Sequence, residues 1–188
     1  MKRIILLCLP LFIFACPVLT QLTDIPVEEQ VPMLVKVLSF DKNAPLKKDD
    51  AVVGILYQHD RPVSNTVQHA IMSLRDSADV MLSNGTAVRF IPIALDATGR
   101  WKKKAREKNT VALIVTQVDD VFLPEISTFC REQRIISMTT VARYVEEGIS
   151  LGVASSRGKK VLLVNLPVSL SEGAQFSSRV LQIAKILR

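Results

Sequence analysis

Four short stretches of this chain are almost wholly apolar: AVVGILY at 51–57, AVRFIPIAL at 87–95, VALIVT at 111–116 and RIISM at 134–138. Apolar runs of four to eight residues, bounded by polar turns, read as strands buried on both faces. The segments that separate them keep a helical period instead. Val67, Ala70, Ile71, Leu74, Ala78 and Met81 recur at helical spacing over 63–82, with Asn84-Gly85 as the stop. A second helix is predicted from Asp119-Asp120 through Arg134, its acidic start facing the positive end of the helix dipole. The basic segment GRWKKKAREK fills the remaining gap, and TTVARYVEEG, closed by Gly148, follows the fourth strand as a short helix.

Strands alternating with helices resolve into a parallel sheet covered on both faces. Pro92 places the second strand at an edge or a bulge, because proline donates nothing to a ladder. Ahead of the first strand, VEEQVPMLVKVLSF carries Val31, Leu34, Val35 and Leu38 on one face of a helix, and a polar loop, DKNAPLKKDD, follows it. The last third breaks the rhythm. ISLGVAS and KKVLLVNL are separated only by SRG, too little for a crossover, so they pair as an antiparallel hairpin. A final helix is predicted over 176–187, with Phe176, Val180, Ile183, Ala184 and Leu187 inward and Arg179, Gln182 and Lys185 outward. The expected fold is therefore a single α/β domain, with a mostly parallel sheet flanked by helices on both faces, a C-terminal antiparallel β-hairpin and a final helix.

Lys2 and Arg3 precede IILLCLPLFIFACPVL, a basic start and an apolar run that together form an export signal over 1–20. The run is interrupted by Pro10 and Pro17 and is shorter than the roughly 20 apolar residues of a membrane span. Cleavage near Thr20 gives a secreted chain, whereas lipidation at Cys16, within a rough lipobox, gives a lipoprotein. Residues 21–50 then belong to the domain as its first helix and loop, and 51–188 form its α/β body. Cys130 is the one cysteine beyond the leader, which excludes a disulfide within one chain. Two of the 24 Lys and Arg lie in the leader, leaving 22 against 18 acidic residues. Export denies this modest basic excess a nucleic-acid partner, and leaves anionic headgroups or acidic proteins.

No nucleophile elbow, phosphate loop or dinucleotide turn is present, and the expectation is a protein without catalytic residues, metal or cofactor. His59 and Asp60 stand just after the first strand, where doubly wound folds bind ligands; a hydrated loop is the plainer reading. Trp101 with Lys102, Lys103 and Lys104 offers a membrane-surface contact, or else a solvated helix face. Arg143 and Tyr144, beside Glu146 and Glu147, form a candidate contact patch with Arg179 and Gln182 of the last helix. Asn165, at the end of the hairpin, either meets a ligand or bonds nearby backbone and shapes the loop LPVSLSEG.

The C-terminal third resembles the YfiR-like family of exported bacterial proteins. A glycine-led strand at Gly148-Ile149, a strand closing on Val164-Asn165, and the helix SSRVLQIAKI at 177–186 follow one another in that family's order. The likeness covers roughly 134–187 and continues more weakly to the helix at Val31. The family's first helix is aromatic, and here Phe40 stands alone in that role. The resemblance implies a periplasmic, non-enzymatic homodimer that represses a membrane-embedded signalling enzyme. In this family that enzyme is typically a diguanylate cyclase, through which cyclic-di-GMP controls biofilm formation. The same region also looks like one lobe of an exported substrate-binding protein, the alternative being an exported lobe that binds small molecules or cell-wall fragments.

Overall fold

The computed structural model describes residues 25–43, 51–76, 80–83 and 85–188. The segment expected to be an export signal, with Cys16, lies outside them, as does most of the loop after the first helix. Among the described residues no helix is long and apolar enough to cross a membrane.

The chain runs α1 (Val27–Leu38), β1 (Ala51–Tyr57), α2 (Pro62–Ser73), β2 (Val88–Ala94), α3 (Arg100–Glu107) and β3 (Ala112–Val115). It continues through α4 (Leu123–Gln133), β4 (Ile136–Thr139), β5 (Leu151–Ser156), β6 (Lys159–Asn165), α5 (Leu166–Ser171), α6 (Ser178–Ile183) and β7 (Lys185–Leu187). The seven strands form one sheet in the order β2-β1-β3-β4-β5-β6-β7. β1 to β5 are parallel, and β5 and β6 form the antiparallel hairpin. β2 is an edge strand, where Pro92 removes no ladder bond.

The alternation of side chains along the strands creates two cores. Val53, Ile55, Ala112, Ile114, Ile136 and Met138 point toward α1, α2 and α6. Leu56, Leu113 and Val115 point the other way, onto Trp101 of α3 and Ile126 and Phe129 of α4. A glycine sets one close approach. A Cβ on Gly152 would lie 2.5 Å from a methyl of Val145, so its absence lets the 3₁₀ turn at Ala142–Val145 rest directly on β5. Away from the core, Lys160 on the hairpin reaches Glu29 of α1 at 2.9 Å.

Several elements differ from the sequence reading. α2 ends at Ser73 and passes into a 3₁₀ turn over Leu74–Asp76, and Met81, placed on the predicted helix, instead pairs with Ala87 in an isolated bridge. The TTVARYVEEG segment is a four-residue 3₁₀ turn, not a helix. The final helix also stops early, at Ile183, which is left exposed. Lys185–Leu187 then becomes a strand paired in parallel with Leu163–Asn165, because the end of β6 offers an unpaired edge.

Candidate functional site

The sheet's strand order reverses direction between β1 and β3, and in open α/β sheets the groups beyond such strand ends are the usual ligand-binding position. Here those groups bind each other. Gln58, buried just after β1, donates its side-chain amide to Asp119 at 2.6 Å and accepts the Asp119 backbone N–H at 2.9 Å. Arg61 pairs with the same carboxylate. Beneath them the Ser64 hydroxyl accepts the Gln58 backbone N–H at 2.9 Å and lies 2.6 Å from the Thr116 hydroxyl. Thr116 donates to Leu56 O at 3.0 Å, so the proton between the two hydroxyls comes from Ser64. Both hydroxyl protons are thus committed to internal bonds.

The neighbouring loop extends this junction. Asp120 accepts two bonds from the Arg143 guanidinium, at 2.5 and 3.1 Å, and Arg143 also donates to Glu147 at 2.7 Å. The Arg143 hydrogen bond holds the Asp120 carboxyl below its usual range and raises the guanidinium in turn. Arg143 stacks over the Tyr144 ring at 4.6 Å. Two apolar side chains next in sequence to residues of this junction and its neighbouring loop are exposed: Val63, at 54%, beside Ser64, and Val121, at 77%, beside Asp120.

Several sequence-derived candidates take other positions. Tyr144 is fully buried; its hydroxyl donates to Val118 O at 2.7 Å and accepts Val118 N–H at 3.2 Å, and burial pushes its pKa up. It faces the core rather than a partner, while Arg143 stays at the surface. Arg179 and Gln182 are exposed on α6, across the sheet from Arg143, so the four residues do not make one patch. His59 and Asp60 are exposed in the turn after β1, beside the junction rather than inside it. Trp101 is only 1% exposed and cannot insert into headgroups. The lysines beside it are engaged: Lys102 with Glu125 at 2.6 Å, Lys103 with Glu107 at 3.7 Å, and Lys104 with Pro92 O at 2.8 Å.

Asn165 is the N-cap of α5. Its side-chain oxygen accepts Val168 N–H at 3.3 Å, and its amide donates to Val145 O at 2.8 Å. The loop expected after the hairpin is therefore a short helix whose start is fastened to the 142–145 turn. Gly148, at φ +107°, allows the return from that turn into Ile149. Replacing Asn165 by Ala is expected to cost about 0.5–2 kcal/mol, the usual value of a lost cap, read as a lower urea midpoint.

The sequence reading missed the Gln58–Asp119 link, which joins two loops 61 residues apart and leaves no local pattern. It also missed Glu172, a single acid in the apolar and small-residue run LPVSLSEGAQF. Its partners, Ser137 and Ser150, were visible only as polar interruptions in apolar runs.

No family model matches the sequence, and no curated protein matches it. Solved structures do share its fold. A Streptococcus pneumoniae ABC domain in complex with L-Trp superposes with a TM-score of 0.59 at 13% identity, covering 87% of this chain and 62% of that one. A ligand-free, open substrate-binding protein with adhesive properties from Clostridium difficile gives 0.57 at 13% identity, covering 73% and 54%. A conserved domain protein from Vibrio cholerae gives 0.57 at 16%, covering 87% and 60%. The chain spans less than two thirds of each of these structures, and at such identities the likeness is one of fold.

Proposed function

We propose that this chain is a periplasmic regulator that works by protein contact, repressing a membrane-embedded signalling enzyme of the diguanylate cyclase class. The observation that carries the contact reading is the junction itself. At the position where a doubly wound sheet offers its polar groups to a small ligand, Gln58, Asp119, Ser64 and Thr116 are bonded to one another. Two exposed valines stand next in sequence to Ser64 and Asp120. Apolar side chains rimmed by charge suit a protein surface better than a small polar solute. The order of motifs shared with the YfiR-like family, and the basic-apolar leader, support the location and the target class.

In this reading the contact face consists of Val63, Val121, Asp120 and Arg143, with His59 and Asp60 at its margin. Val121→Glu is expected to leave stability within about 0.5 kcal/mol of the parent, as for most surface changes. The same variant is expected to weaken capture of the inner-membrane partner about tenfold, the equivalent of about 1.4 kcal/mol. Crosslinking in membranes followed by quantitative recovery of the wild-type partner measures this. Equal recovery by the variant removes Val121 from the interface.

The second reading, an exported binding lobe, draws on the substrate-binding proteins among the structural neighbours. A lobe that binds a small molecule gains thermal stability with it by mass action. A rise of several degrees in Tm with L-tryptophan, other amino acids or muropeptides favours this reading over the first.

A further inference from the structure

Glu172 is 1% exposed, and its carboxylate joins three elements. One oxygen accepts the Ser137 hydroxyl of β4 at 2.5 Å, and the other accepts the Ser137 N–H at 2.9 Å and the hydroxyl of Ser150, the residue just before β5. Ser150 N–H in turn donates to the Ser137 hydroxyl oxygen at 2.9 Å. Glu172 itself is the C-cap of α5. These bonds stand where the sheet is thinnest, because β4 and β5 register through one residue pair, Met138 with Leu151. The β1–β2 ladder, by comparison, registers seven. α5 itself buries only Ser169 and is held at its start by Asn165 and at its end by Glu172.

We propose that Glu172 is a proton-operated latch on the β4–β5 seam: protonated, it fastens β4, β5 and α5 together, and ionised, it loosens them. A carboxylic acid keeps an oxygen to accept from Ser137 and gains an O–H to donate to the Ser150 hydroxyl, so the cluster holds together without a buried charge. Among the described residues the carboxylate forms no salt bridge that would offset its desolvation. The groups facing it from α4 are Arg131, whose exposed guanidinium acts on it only at a distance, Arg134, whose methylenes lie over Gly173, and the buried Cys130 thiol. From the turn after α1, Asp41 faces the following segment and accepts Gln175 N–H at 2.7 Å.

Burial outweighs the three donors and Arg131, and pushes the Glu172 carboxyl up to about 7. Because the folded value is raised above the ordinary 4.5, the folded chain binds a proton that the opened one has released. The latch is therefore fully closed below about pH 4.5 and loses its grip as pH rises through about 7.

Hydrogen exchange of the full chain at pH 6 and pH 8, corrected for intrinsic rates, tests this. Amides of 137–140, 150–153 and 166–173 are expected to open about tenfold more often at pH 8, the ratio that one proton bound between about 4.5 and 7 dictates. In Glu172→Gln that pH difference is expected to disappear. A wild-type seam that opens equally at both pH values, or a variant that keeps the difference, overturns the latch. A carboxyl carbon titration of Glu172 in the wild-type protein gives a reading that does not depend on how the variant folds. A midpoint near 7 supports the latch, and one near 4.5 overturns it.

Discussion

Trp101→Ala is expected to cost about 3–5 kcal/mol of folding stability, the range for deleting a large buried aromatic. The ring lies in the core between α3, α4 and the sheet, 4.8 Å from Phe129 in an edge-on contact, and is only 1% exposed. Against a total of about 5–15 kcal/mol for a domain, that loss is large enough to shift the urea midpoint substantially. A headgroup-inserting tryptophan makes the opposite forecast, namely an unchanged midpoint and weaker pelleting with anionic vesicles. The two measurements separate the roles cleanly, and the burial of the ring decides for the first.

Tyr144 gives the second large effect. Tyr144→Ala is expected to cost about 3–5 kcal/mol, since it removes a fully buried ring. Tyr144→Phe keeps the ring and deletes the hydroxyl that both donates to and accepts from the Val118 backbone. Leaving those two buried groups unpaired is expected to cost about 1–3 kcal/mol. Partner capture per folded molecule is expected to stay near wild type in Tyr144→Phe, because Arg143 and Val121 keep their places. Loss of capture at unchanged stability in this variant identifies Tyr144 as a contact residue after all.

Much of the fold was legible because its signals are local. The runs at 51–57 and 111–116 read as doubly buried strands and are central in the sheet, and the short connection near Arg157 forced an antiparallel hairpin. Pro92 likewise pointed to the edge that β2 occupies. The chain end misled because Ile183, Ala184 and Leu187 keep a helical spacing, whereas the pairing that makes β7 depends on a free edge more than 20 residues earlier. Trp101 was hidden by its lysine neighbours. Its burial with Ala105, four residues on, is a one-sided helix contact too short to stand out as a period.

The candidate site was less legible, for a similar reason. His59 and Asp60 stand at the same strand end as the polar junction, yet the groups that close that end, Gln58 and Asp119, meet only through the fold. Arg143 was singled out beside Tyr144 because both are polar-capable neighbours in a short segment. In the 3₁₀ turn they stack on each other, yet Tyr144 is buried beneath while the Arg143 guanidinium stays outside in surface salt bridges. Glu172 carried no periodic signal, since its partners come from β4 and the start of β5.

The central claim is regulation by contact with a membrane-embedded cyclase, and intracellular cyclic-di-GMP tests it most directly. The level is measured in cells carrying the wild-type gene, in cells from which it is deleted, and in deleted cells expressing Val121→Glu. The level is expected to rise on deletion, to return to normal with the wild-type chain, and to stay high with the variant at equal protein abundance. An unchanged level on deletion would contradict the claim.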